Sequence, residues 1–210
     1  MATASGDVTG TTAVTHSWRP VARPMRADAR RNRDAVLIAA AAAFAIEGVD
    51  TSLEDIARTA GVGIGTLYRH FPTREALVLG VYRREVEHLA DSARELAAEM
   101  LPAEALREWM RRFVQYAATK RGMIGMLHAM VRDESEAFNQ AKEQIRQAAA
   151  TLLDAAASSG AIRGDVSAED LTRSIGGICM ASDPAAGSAC PERLVDLVFD
   201  GLRFGASTAR

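Results

Sequence analysis

The sequence predicts an all-α fold, with a small front unit, a larger helical rear unit and about nine helices in all. Three observations carry this. Alanine is abundant and β-branched runs are scarce, and Ala loses no side-chain entropy in a helix. Apolar residues recur at helical spacing, and no segment reads convincingly as a strand. Glycines and prolines fall between the periodic stretches, where helices should stop. Hydrophobic residues make up 48% of the 210, enough to fill a core, although aromatics are only 5%.

The elements follow in order. Residues 1–26 are rich in Thr, Ala, Gly, Pro and Arg without an apolar period, and they read as a disordered basic arm. Arg19, Arg23, Arg26, Arg30, Arg31 and Arg33 cluster at its end, as a solvated tail or as a tether to a polyanion. A first helix is expected from about Ala29 to Glu47, with Leu37, Ala40, Ala41 and Phe44 on one face and Gly48 as the stop. Ser52 can cap a short second helix through the third helical N–H. Asp55 sits where a reciprocal cap or the helix dipole would hold its carboxylate. Leu53, Ile56, Ala57 and Ala60 form that helix's apolar face, and Gly61 ends it. A third short helix spans about Ile64 to Phe71 before Pro72 breaks it. Thr73 can cap a long fourth helix that runs to about Glu99. Further helices are expected near 103–120, 122–132, 135–158, 168–182 and 191–206. The domains are then the arm at 1–26, the front unit at 27–75 and the rear unit at 76–210.

The alternating glycines Gly61, Gly63 and Gly65 raise the question of a phosphate-binding loop. A dinucleotide fingerprint needs G-x-G-x-x-G after a strand. Counting from Gly61 the third position is Thr66, from Gly63 it is Tyr68, and the preceding segment is helical by period. The P-loop lysine is also missing. A helix-turn-helix fits instead: Ala57 is small where two helices cross, Gly61 supplies the turn, and Leu67 points back towards Phe44 and Ile56. Ile64, Gly65, Thr66, Tyr68, Arg69 and His70 are left for the outer face and helix ends, which would lie in a major groove. Gly63 and Gly65 bring backbone N–H groups towards a phosphate. Thr66 suits a thymine methyl or a base edge, and Arg69 a guanine or a phosphate. Tyr68 and His70 suit backbone phosphates, and Arg74 a phosphate clamp. Arg31, Arg33 and the hydroxyls of Ser52 and Thr73 complete the candidate DNA-binding set.

GVGIGTLYRHFPTREAL, residues 61–77, together with Phe44, Gly48, Ser52, Ile56 and Ala57, resembles the DNA-binding domain of the TetR family of bacterial transcriptional regulators. The resemblance covers about residues 30–80. One departure is Gly63-Ile64, where many members carry Ser and Lys. PAEALREWMRRFVQYAATKRG, residues 102–122, and Gly176-Gly177-Ile178-Cys179 resemble a rear-domain subgroup common among actinobacterial members. The resemblance implies a homodimer on a palindromic operator of double-stranded DNA, usually a repressor released by a small molecule. The alternatives are an activator of the same family, or a small helical enzyme or carrier with an incidental helix-turn-helix.

The rear half is less diagnostic. Trp109, Met110, Phe113 and Tyr116 share one helix; Met123, Met126, Leu127 and Met130 share the next. Such stripes are ordinary core or the lining of an adaptable apolar pocket. In a TetR-like rear domain they would surround an apolar effector, with Phe138, Ile145 and Ile178 on facing helices. Leu171, Ile175, Ile178 and Cys179 form an apolar seam on one of the last two helices, and Leu194, Val195, Leu197, Val198, Leu202 and Phe204 crowd the other, either a dimer interface or an ordinary buried pair.

Charge is split along the chain. Residues 19–74 hold nine arginines against six acids, and residues 75–210 hold sixteen Lys/Arg against twenty acids. The histidines at 16, 70, 88 and 128 are far apart, and no H-x-x-x-H, C-x-x-C or nucleophile elbow occurs. No catalytic chemistry, cofactor or metal is therefore expected, and without an apolar run of about 18 or more residues no membrane partner is expected either. Two cysteines, Cys179 and Cys190, suit a reducing cytoplasm better than a disulfide framework.

Overall fold

The computed structural model describes residues 22–130, 135–182 and 190–204. Among them the chain forms nine helices and no strand: α1 (Ala22–Glu47), α2 (Leu53–Thr59), α3 (Ile64–His70), α4 (Arg74–Glu99), α5 (Pro102–Gly122), α6 (Ile124–Met130), α7 (Ser135–Ser158), α8 (Ala168–Ala181) and α9 (Pro191–Arg203). The all-α expectation holds. Most of the proposed arm, residues 1–21, lies outside the described residues. The first helix, however, starts seven residues before the expected Ala29, at Ala22. Pro24 does not prevent this, because a first-turn N–H has no intrahelical acceptor to lose.

Caps set the short elements. The Ser52 hydroxyl accepts from the Asp55 N–H at 3.3 Å, and the Thr73 hydroxyl from the Ala76 N–H at 3.1 Å. Asp55 does not cap in return; its carboxylate pairs with Arg58 at 2.6 Å, one turn along α2. Gly48 and Gly61 hold φ of +78° and +69°, the left-handed geometry that ends α1 and turns the chain after α2.

The rear core is centred on α4, α5 and α7, with α8 laid on α5 and α7 and α9 on α5 and α8. Val81, Val86, Leu89 and Leu96 of α4 meet Leu106, Trp109 and Met110 of α5, and Ala149 and Leu152 of α7, in one continuous cluster. The Trp109 indole N–H donates to the Leu89 carbonyl at 3.0 Å, so its buried polar atom is satisfied. α9 is tied down by Asp196, which accepts from Arg107 at 2.9 Å and from Arg111 at 3.0 Å; both hydrogen bonds hold its carboxyl below the usual range.

This packing divides the expected dimer seam. Leu171, Ile175 and Cys179 of α8, and Val195 and Leu202 of α9, are buried within the protomer, because these faces seat α8 on α5 and α7, and α9 on α5 and α8. Leu194 and Val198 are partly covered. The apolar groups of the last two helices left outside are Leu197 (67% exposed), Phe204 (83%) and Met180 (56%), and Gly177 of α8 is exposed as well.

Candidate functional site

α3 stands out from the front unit because one residue pins it. Leu67 is 0% exposed and inserts among α1 and α2. The Val62 N–H donates to the Ala57 carbonyl at 3.0 Å and closes the turn. With Leu67 inward, Gly65, Tyr68 and Arg69 face out, and Thr66 and His70 are half-buried at the edges. Ile64 is not presented with them: it packs partly against the core. Tyr68 is 46% exposed, a large aromatic held in water by the helix that carries it. No described residue pairs with the Arg69 guanidinium.

The two glycines at the start of α3 answer to nothing inside the protein. A Cβ at Gly63 or Gly65 would meet no atom within 4 Å, and φ at Gly63 is an ordinary −71°. Gly63 caps α3 without a side-chain hydrogen bond, so the first N–H groups of the helix stay open to an outside acceptor.

Other predicted DNA-contact residues are engaged within the protein. Arg74 reaches back from α4 to donate to the carbonyls of Val49 and, at 2.7 Å, Thr51. It clamps the turn between α1 and α2 instead of projecting outward. Arg33 lies over the Phe71 ring at 5.6 Å, closing α1 against the end of α3, and Arg31 pairs with Asp28. Ser52 and Thr73 act as caps.

The predicted pocket residues are dispersed. Trp109, Met110, Met123 and Leu127 are fully buried core, Met126, Met130 and Ile178 pack at its margin, and Phe138 stacks near Tyr82 with ring centres 5.1 Å apart. Only Phe113, Tyr116 and Ile145 line an open cleft of about 470 Å³ between α5, α7 and α8. The Tyr116 hydroxyl is paired with Tyr82, and burial pushes its pKa well up, so it stays neutral. Lys120 and Lys142 also line the cleft and escaped the sequence reading. Their signal was present as spacing: 113, 116 and 120 share a face of α5, and 138, 142 and 145 share one of α7. Among the described residues no group of His, Cys, Asp and Glu is arranged to hold a metal ion, and no helix is long and apolar enough to cross a membrane.

Known proteins agree with this layout. Residues 36–81 match the family described as bacterial regulatory proteins, tetR family, and residues 101–204 match the C-terminal domain of SbtR-like transcriptional regulators. A TetR transcriptional regulator of Streptomyces coelicolor is 49% identical, with 81% of this chain and 98% of that one aligned at a TM-score of 0.74. A TetR transcription regulatory protein of Mycobacterium vanbaalenii is 38% identical over 86% and 99% of the two chains, at a TM-score of 0.66. An HTH-type transcriptional regulator of Staphylococcus aureus is 41% identical over 64 residues, 30% of this chain. That match spans 35% of the curated relative's length.

Proposed function

Since the chain belongs to the TetR family of bacterial transcriptional regulators, we propose that it represses transcription as a homodimer on a palindromic operator and leaves the DNA when a small molecule occupies its rear domain. Regulators of this family are not enzymes. The observation that carries the reading is the outer face of α3: Tyr68 and Arg69 exposed, and two glycines whose open surroundings the fold itself does not use. An adjoining phosphate backbone would use that space. The exposed apolar side chains of Leu197 and Phe204 at α9 and of Met180 on α8 support a second subunit against these two helices. A regulator of this kind works on DNA in the cytoplasm.

A mobility-shift titration tests it, using DNA upstream of the protein's own gene and sheared genomic fragments. The reading predicts a specific shift that weakens steeply with salt, with a log–log slope of about −0.9 per phosphate neutralised. Absence of any fragment bound above the non-specific background would overturn it.

A further inference from the structure

The cleft between α5, α7 and α8 is not the apolar box that the methionine stripe suggests. Its floor is apolar, from Phe113, Tyr116 and Ile145. Its rim carries charge of both signs, and most of that charge is already matched. Arg146 donates to Glu143 at 2.5 and 2.8 Å, and Arg173 to Glu169 at 2.6 Å. Hydrogen bonds from Arg146 and Gln147 hold the Glu143 carboxyl down at about 2, so that carboxylate stays ionised and committed. Two cations remain over. Lys120 on α5 and Lys142 on α7 line the same cleft, and neither ion-pairs with any described residue.

Lys120 is the unusual one. It sits half-buried beside a like charge, and burial first, then Lys142, push its ammonium below the ordinary lysine range. A half-buried ammonium without a counter-ion costs stability. Such a cost in the wall of a cleft marks a candidate ligand site. Gly176 adds room: a Cβ there would meet nothing within 4 Å, and the residue lines the cleft.

We propose that this cleft binds an amphipathic organic anion, its acidic head between Lys120 and Lys142 and its apolar body on Phe113, Tyr116 and Ile145. This rests on the regulator reading in that such a molecule would be the effector, and it replaces the purely apolar ligand expected from sequence. The two ammonium groups set the charge of the head; a carboxylate or a phosphate monoester satisfies them alike.

Titration calorimetry on the full chain, without DNA, tests the site with decanoate, decyl phosphate and decanol as probes. At least one acid should bind about tenfold or more tighter than the alcohol. Lys120→Met and Lys142→Met should each remove about tenfold of that preference and leave decanol binding unchanged. Lys120→Met should not lower the melting temperature, because it relieves an unpaired charge. Gly176→Leu, which fills the cleft and favours helix, should abolish binding of acids and alcohol together. Equal affinity for acid and alcohol, an unchanged preference in both lysine variants, or acid binding that survives Gly176→Leu would each overturn the proposal. A mobility shift run in parallel separates the two readings. Operator binding without acid preference refutes the anion site alone, whereas acid preference without operator binding refutes the regulator reading alone.

Discussion

Arg74 leaves the first turn of α4 and commits its guanidinium to the carbonyls of Val49 and Thr51. The Thr51 hydroxyl donates to the Gly48 carbonyl at 2.8 Å in the same turn, so one side chain fixes the joint on which α2 and α3 are hung. Arg74→Ala should therefore destabilise the protein by about 1.5–3 kcal/mol, the worth of hydrogen bonds from a charged donor. Thermal unfolding checks this. The salt slope of DNA binding should stay unchanged, whereas loss of a phosphate contact would lower it by about one unit. The α3 side chains should behave in the opposite way. Tyr68→Phe and His70→Ala should weaken binding across all sequences, and Thr66→Val or Arg69→Ala should change base preference, none of them shifting the melting temperature appreciably. A panel of single-base operator variants distinguishes the two classes. The outward turn of Tyr68 and Arg69 was legible, because Leu67 fixes the inward face and the helical period does the rest. The end-point of Arg74 was not. Sequence shows a charge and a position, but a long flexible side chain reaches in several directions, and only the neighbouring turn decides which.

At the scale of elements, the nine expected helices coincide with the structure to within a few residues apart from the start of α1, because caps and breakers mark them. What sequence could not give is which face of α8 or α9 looks inward. Both helices carry apolar residues on more than one side, and the side taken by the protomer core is settled by where α5 and α7 lie. Leu197→Glu should accordingly yield a monomer of unchanged helicity by sedimentation. Leu171→Ala should instead cost about 2–5 kcal/mol of stability through a core cavity. Dimers that survive Leu197→Glu would place the interface elsewhere. The junction between front and rear units is equally specific. A Cβ on Gly122, at the end of α5, would fall 1.7 Å from the Phe44 carbonyl oxygen of α1. Backbone cannot yield as a side chain does, so Gly122→Ala must push α1 from α5 and should destabilise by about 1–3 kcal/mol. Gly125→Ala, three residues on in open space, should be neutral or mildly stabilising; equal effects in a denaturant titration would refute the contact.

Over the whole molecule, residues 19–74 hold nine arginines against six acids, and residues 75–210 hold twenty acids against sixteen Lys/Arg. Such an asymmetry would favour approach of a polyanion to the front unit. A two-fold contact through α8 and α9 would present two α3 helices on one side, about 34–36 Å apart, the length of one turn of B-DNA. The most direct test of that arrangement is a hydroxyl-radical footprint of the full-length protein on a fragment it selects from genomic DNA. The account predicts two protected segments related by two-fold symmetry, their centres about one helical turn apart, with both lost together in Tyr68→Phe combined with Arg69→Ala. A single unsymmetrical footprint, or one that persists unchanged in that double variant, would contradict it.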